Sequence, residues 1–111
     1  MNRIRKISNR EIELVKYLAK KAKLFISDKD YPDMLVRELA DGGMGSFLIF
    51  QDSSDAEVKR KFGKQISELE FIDDDGVLVL VSLNVDDQNK LFEVDIWKTD
   101  FNPVIRLKIP D

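Results

Sequence analysis

The chain of 111 residues contains no histidine and no cysteine. That excludes the Ser-His-Asp triad, a cysteine nucleophile, thiolate or imidazole zinc sites and histidine-based proton transfer. Long apolar runs are also missing. The longest is Val77 to Val81, far short of the roughly 20 residues that a membrane helix needs. The N-terminal stretch is basic, but Lys and Arg interrupt it, so it has no signal-peptide core. With no cysteine framework either, the expected compartment is the cytoplasm. Positive charge is in short supply, with a net charge of −3, so the field needed to hold nucleic-acid phosphates is weak. No nucleic-acid or membrane partner is expected. Tryptophan occurs once, as Trp97.

What is present describes an α+β domain spanning residues 1–111. A hydrophobic fraction of 43% is enough for one core at this length. The organising stretch is Ile66 to Lys98, three strand-like runs joined by two acidic turns. In the middle run Val77, Val79, Val81, Leu83 and Val85 make one apolar face, while Leu78, Leu80, Ser82 and Asn84 start apolar and turn polar. This is the signature of a central strand covered fully on one side and partly on the other. Asp75-Gly76 before it is a hairpin signal. The run before the turn puts Leu69 and Phe71 opposite Glu68 and Glu70. The run after Asp86-Asp87-Gln88-Asn89 puts Phe92, Val94 and Ile96 opposite Glu93, Asp95 and Trp97. Three such runs in succession predict an antiparallel meander.

Ser8-Asn9-Arg10-Glu11 fits a capping box and opens a helix to about Lys23. Ile12, Val15, Leu18, Ala19 and Ala22 share its apolar side, with Leu14 at the edge; Lys16, Lys20 and Lys23 share the other. Residues 1–23 hold eight Lys or Arg and two Glu, whereas 24–111 hold ten Lys or Arg and nineteen Asp or Glu. The simplest account is a solvated lysine face on a helix drawn to an acidic sheet. Leu24-Phe25-Ile26 should continue the apolar side and plug the core edge. Residues 34–40 suit a strand or a short helix begun by Pro32, the strand being preferred because Asp41-Gly42-Gly43-Met44-Gly45 reads as a turn into a second strand over 46–51. Residues 53–62 suit a short helix or a loop. Val104 to Ile109 alternates and reads as a last, edge strand. The expected fold is one long N-terminal helix packed on an antiparallel, meander-type sheet of about five or six strands.

Chemical motifs fail on inspection. The glycines of 41–46 lack the spacing, and the Lys and Ser/Thr, of a phosphate loop. Asp73-Asp74-Asp75-Gly76 would put Phe71 at the first calcium position, where an oxygen is required. Glu68/Glu70 and Glu93/Asp95 are paired carboxylates on strand faces, but a chain this short has little to build a cleft from. Trp97 shares a face with Glu93 and Asp95. Two readings stand for it: covering the second face of the meander beside Leu78 and Leu80, which is preferred, or anchoring a partner.

Four segments together resemble a family of small bacterial proteins classed as a domain of unknown function. They are KISNREIELVKYL (6–18), DGGMGS (41–46), DDDGV (73–77) and LFEVDIWKTDFNP (91–103). The resemblance spans nearly the whole chain, with 27–40 and 52–64 matching poorly. It implies a single α+β domain without assigned activity, and it supplies no catalytic residue or cofactor. It draws attention to Asp41, Gly43, Gly45, Asp95, Trp97 and Asp100.

The functional expectation is a non-enzymatic module whose acidic sheet surface, formed by Asp41, Gly43, Gly45, Glu93, Asp95, Trp97 and Asp100, meets a basic protein. An immunity-type protein that neutralises a toxin is one concrete form, by analogy of size and acidity. Two alternatives stand beside it. One is a ligand or divalent-metal binder, or an enzyme, using Asp41, Asp95 and Asp100. The other is a homodimer built through an edge strand or the second sheet face.

Overall fold

A computed structural model describes residues 3–110. Its elements are β1 (Ile4–Lys6), α1 (Asn9–Lys21), β2 (Leu35–Glu38), β3 (Phe47–Phe50), β4 (Phe62–Ile72), β5 (Leu78–Asp86) and β6 (Leu91–Lys98). Short 3₁₀ turns lie at Tyr31–Asp33 and Asp55–Glu57. The six strands form one antiparallel sheet in the order β1-β2-β3-β6-β5-β4. The expected meander is β4-β5-β6. The order places β6 between β3 and β5, so it joins the meander to β1-β2-β3.

α1 begins where the sequence predicts. The Ser8 hydroxyl accepts from the Glu11 amide, and the Glu11 carboxylate accepts from the Ser8 amide at 2.8 Å. Two amide donors with no partner inside the helix are thereby satisfied. The helix stops at Lys21 because Lys23 turns left-handed, at φ 58°. The Lys23 amide returns to the Lys20 carbonyl and the Leu24 amide to the Ala19 carbonyl, a Schellman ending with Lys where Gly is usual. This reversal corrects the reading of Leu24-Phe25-Ile26 as a plug. Phe25 is 89% exposed and only Ile26 packs on the core. Leu14, expected at the margin, is fully buried with Val15 and Leu18. These residues pack against the odd face of β5, including Val79, Val81 and Leu83, and against Phe47, Ile49, Val94 and Ile96.

Residues 34–40 contain the preferred strand, β2. Residues 53–62, expected as a short helix or a loop, hold one 3₁₀ turn at Asp55–Glu57 followed by four irregular residues that lead to β4 at Phe62. β4 starts at Phe62, four residues before the predicted Ile66. Gly63 permits this, because a Cβ there would lie 2.2 Å from the Asp86 carbonyl oxygen. A register shift at Asn84/Val85 places Leu91 in the core instead of the expected Phe92.

The predicted edge strand at Val104–Ile109 is absent. These residues run extended across the core, with Val104, Leu107 and Ile109 packed against it. The expected alternation holds only for Leu107 and Ile109, since Ile105 is exposed at a bend and Val104 packs in its place, and the amides find other acceptors. Ile105 and Arg106 donate to the Asp73 carboxylate at 2.7 and 3.1 Å. The sheet edges are β1 and β4 instead. β4 carries two register shifts. Its Glu68 and Ile72 carbonyls accept from the ammonium groups of Lys21 and Lys108 at 2.5 and 2.7 Å. Irregular pairing and lysines at an edge oppose addition of another strand.

Candidate functional site

The sheet has two unlike faces. α1 and residues 104–109 lie over the odd residues of β5. The opposite face over β4, β5 and β6 is open to solvent. Cross-strand register arranges it in rows: Glu70, Leu80 and Trp97; then Glu68, Ser82 and Asp95; then Gln65, Asn84 and Glu93, with Ile72 beside Leu78 at one end. An apolar centre of Leu78, Leu80 and Trp97 is therefore bordered by four carboxylates, and no Lys or Arg shares this face over these three strands. The Asn84 side-chain amide donates to Glu93 at 3.0 Å and fixes that carboxylate. Trp97 is 41% exposed, so it covers Leu80 only in part. Phe101 follows in the turn after β6, 69% exposed, with ring centroids 6.0 Å apart.

Of the residues singled out from sequence, Glu93, Asp95 and Trp97 meet on this face. Asp41, Gly43 and Gly45 do a different job. The Asp41 carboxylate accepts from the amides of Met44 and Ser46 at 3.1 and 2.9 Å. Gly43 and Gly45 take φ of 85° and 100° to aim those amides inward. Burial pushes the Asp41 carboxyl up, but the Ser46 hydroxyl and the loop amides pull it below its ordinary value. The Ser46 hydroxyl in turn accepts from the Ile96 amide at 2.8 Å and ties the loop to β6. Asp100 accepts from the amide and side chain of Asn102, both at 3.0 Å, and these bonds lower its pKa. Asp41 and Asp95 meet at Ser46, whose amide donates to Asp41 at 2.9 Å and whose hydroxyl reaches Asp95 at 3.5 Å, whereas Asp100 is engaged apart from them by Asn102. Among the described residues no group of three or more carboxylates is placed to hold a metal ion.

Two buried ion pairs went unseen in the sequence. The Lys98 side chain is 1% exposed and donates to Asp73 at 2.9 Å, Asp75 at 2.6 Å and the Pro103 carbonyl at 3.2 Å. Burial pushes the Asp73 carboxyl up, but the Ile105 amide, the Lys98 ammonium and the Asp74 and Arg106 amides hold it well below the usual carboxylate range. Burial likewise lowers the Lys98 pKa, and Asp75 and Asp73 raise it to a net value above the ordinary one. At the far end Arg60 lies over Phe50 and Phe92, with its guanidinium 5.9 and 5.1 Å from their ring centroids. It donates to Asp86 at 3.0 Å, to the Ile49 carbonyl at 2.6 Å and to the Leu91 carbonyl. The parity of β6 carried a signal for Lys98, which continues the buried series Val94, Ile96. Nothing periodic marked Arg60.

Of the open clefts elsewhere, two are the most spacious. One, of about 670 Å³, runs along α1 and is lined by Arg10, Lys16, Tyr17, Lys20 and Lys21 among others. Its cations are largely engaged within the fold: Arg10 with Glu13 and the Leu107 carbonyl, Lys16 with Asp28, and Lys21 with Glu68. The other, of about 640 Å³, is lined by Met34, Leu91, Phe25, Asp30 and Lys90 among others.

The model of one protein family, Domain of unknown function (DUF6984), matches residues 4–108. The chain belongs to that family. No curated protein matches the chain, and no solved structure matches it. The matched range contains every strand, the helix and both buried ion pairs. Among the described residues no helix is long and apolar enough to cross a membrane. The open face thus combines apolar contact area with four carboxylates that take part in none of the ion pairs described.

Proposed function

We propose that this DUF6984 protein is a non-enzymatic binding module of the bacterial cytoplasm that docks a basic protein on the open face of β4-β5-β6. One observation carries the reading: Leu78, Leu80 and Trp97 form an apolar centre bordered by Glu68, Glu70, Glu93 and Asp95, with no Lys or Arg in these rows of β4, β5 and β6, although Arg37 shares the face farther on, on β2. Interfaces of this kind combine an aromatic anchor with a charged border, and the charge raises the association rate and excludes like-charged competitors. Neutralisation of a cationic toxin is one form of this role and rests on analogy of size and acidity. The DGGMGS and DIWKTDF segments fit as marks of the family, since they build the Asp41 loop and the end of β6 that carries Trp97.

The test is a titration of the protein with a cationic peptide, followed by the fluorescence of Trp97. Binding is expected to weaken more than tenfold in Glu68→Lys/Glu70→Lys, and to weaken as salt rises. Binding that ignores these substitutions and leaves Trp97 unperturbed would move the partner surface elsewhere.

A further inference from the structure

Phe101 combines two unfavourable features. Its backbone is left-handed, at φ 64°, where a bulky residue is an outlier. Its ring is 69% exposed. Neither helps the fold, since Phe101 does not belong to the core. The turn that holds it is nonetheless well fixed. The Thr99 amide and hydroxyl donate to the Leu78 carbonyl at 3.0 and 3.1 Å, the Phe101 amide donates to the Lys98 carbonyl at 2.8 Å, and Asp100 binds Asn102. The turn therefore holds a phenyl ring beside the exposed indole of Trp97, with an interplanar angle of 54°. Acids flank the pair. Asp95 is exposed two residues before Trp97 on the same strand face, and Asp100 directly precedes Phe101.

We infer that Trp97 and Phe101 form a notch that reads an arginine side chain of the basic partner. The inference rests on the docking role of this face and specifies its chemistry. A guanidinium is planar and weakly hydrated. It can lie flat on an aromatic ring while its forked donors reach a carboxylate in two parallel hydrogen bonds. An ammonium is compact and strongly hydrated, and matches the tilted rings less well. The four carboxylates of the face draw in any cation, and the aromatic pair then separates arginine from lysine.

Two twelve-residue peptides, (Gly-Arg)₆ and (Gly-Lys)₆, have equal length and charge. Each is titrated into the protein and into Phe101→Asn, with Trp97 as reporter. Asn tolerates the left-handed backbone, so the thermal midpoint of the variant should hold or rise. The arginine peptide is expected to bind about tenfold more tightly, which corresponds to about 1.4 kcal/mol. In Phe101→Asn that advantage should vanish while lysine-peptide affinity stays the same. Equal affinity of the two peptides for the unsubstituted protein would overturn the notch and leave the docking face standing. An arginine advantage that survives Phe101→Asn would assign the selectivity to other residues. Failure of both peptides to bind would overturn the notch together with the docking role.

Discussion

Lys98 is the residue on which the C-terminal part of the fold depends. A buried ammonium is tolerable only when paired and hydrogen-bonded, and removal of one partner leaves the other charge uncompensated. Lys98→Met should therefore lower the thermal midpoint by more than about 10 °C. Lys98→Met combined with Asp73→Asn should lose less than Lys98→Met alone, which thermal denaturation of both variants would show. Asp73 also makes stability depend on pH. Its folded pKa is depressed, so its contribution is complete above the unfolded value of about 3.9 and disappears as pH falls from there toward the folded pKa. The raised Lys98 contributes in the opposite sense: fully below about pH 10.4, and lost as pH climbs through its folded value. A stability plateau between about pH 5 and pH 10 follows, and Asp73→Asn should flatten its acid limb in denaturant titrations across pH. At this scale the sequence was half legible. Strand parity showed which way Lys98 points. Its acceptor lies in a turn, where parity does not apply, so Asp73-Asp74-Asp75 read as a solvated acidic turn.

At the scale of the element, short rules worked wherever an element satisfies its own needs. The capping box of α1 and the alternation of β5 are local, and both were found near their true limits. Ser8→Ala should cost about 1 kcal/mol by loss of the cap, measurable by urea denaturation. Gly63 and Gly76 make a sharper pair. Gly76 has φ 82° with open space around its Cβ position, whereas a Cβ on Gly63 would meet the Asp86 carbonyl at 2.2 Å. Gly76→Ala should cost about 1 kcal/mol of backbone strain. Gly63→Ala should reach the upper end of the roughly 1–3 kcal/mol typical of overpacking, because backbone must move. Legibility failed where an element depends on distant partners. Leu107 and Ile109 alternate with Lys108 and pack on the core, but Ile105 breaks the pattern: it is exposed, and Val104 packs in its place. Whether such a segment is a strand depends on where its amides go, and these went to Asp73. β1 has three residues, too few to show a period.

For the whole molecule the decisive property is asymmetry, with a covered face, an open acidic face and one long edge. The edge at β4 is blocked by Lys21 and Lys108 rather than by another strand. Replacing both by Ala should expose the Glu68 and Ile72 carbonyls and promote self-association, which light scattering across a concentration series would detect. The rows of the open face and the side the helix covers were readable from alternation, but the degree of openness was not, because Leu78 and Leu80 on the even side predict partial cover there. The strand order has a last consequence, for synthesis. β6 is the sixth strand to leave the ribosome, yet it stands in the middle of the sheet. Until it arrives, β1-β2-β3 and β4-β5 are two separate sheetlets, each with a raw apolar border at β3 or β5. Nascent chains halted before residue 91 should therefore be sticky. Released chains that end between 98 and 104 should close the sheet while the Asp73 carboxylate lacks the amides of Ile105 and Arg106.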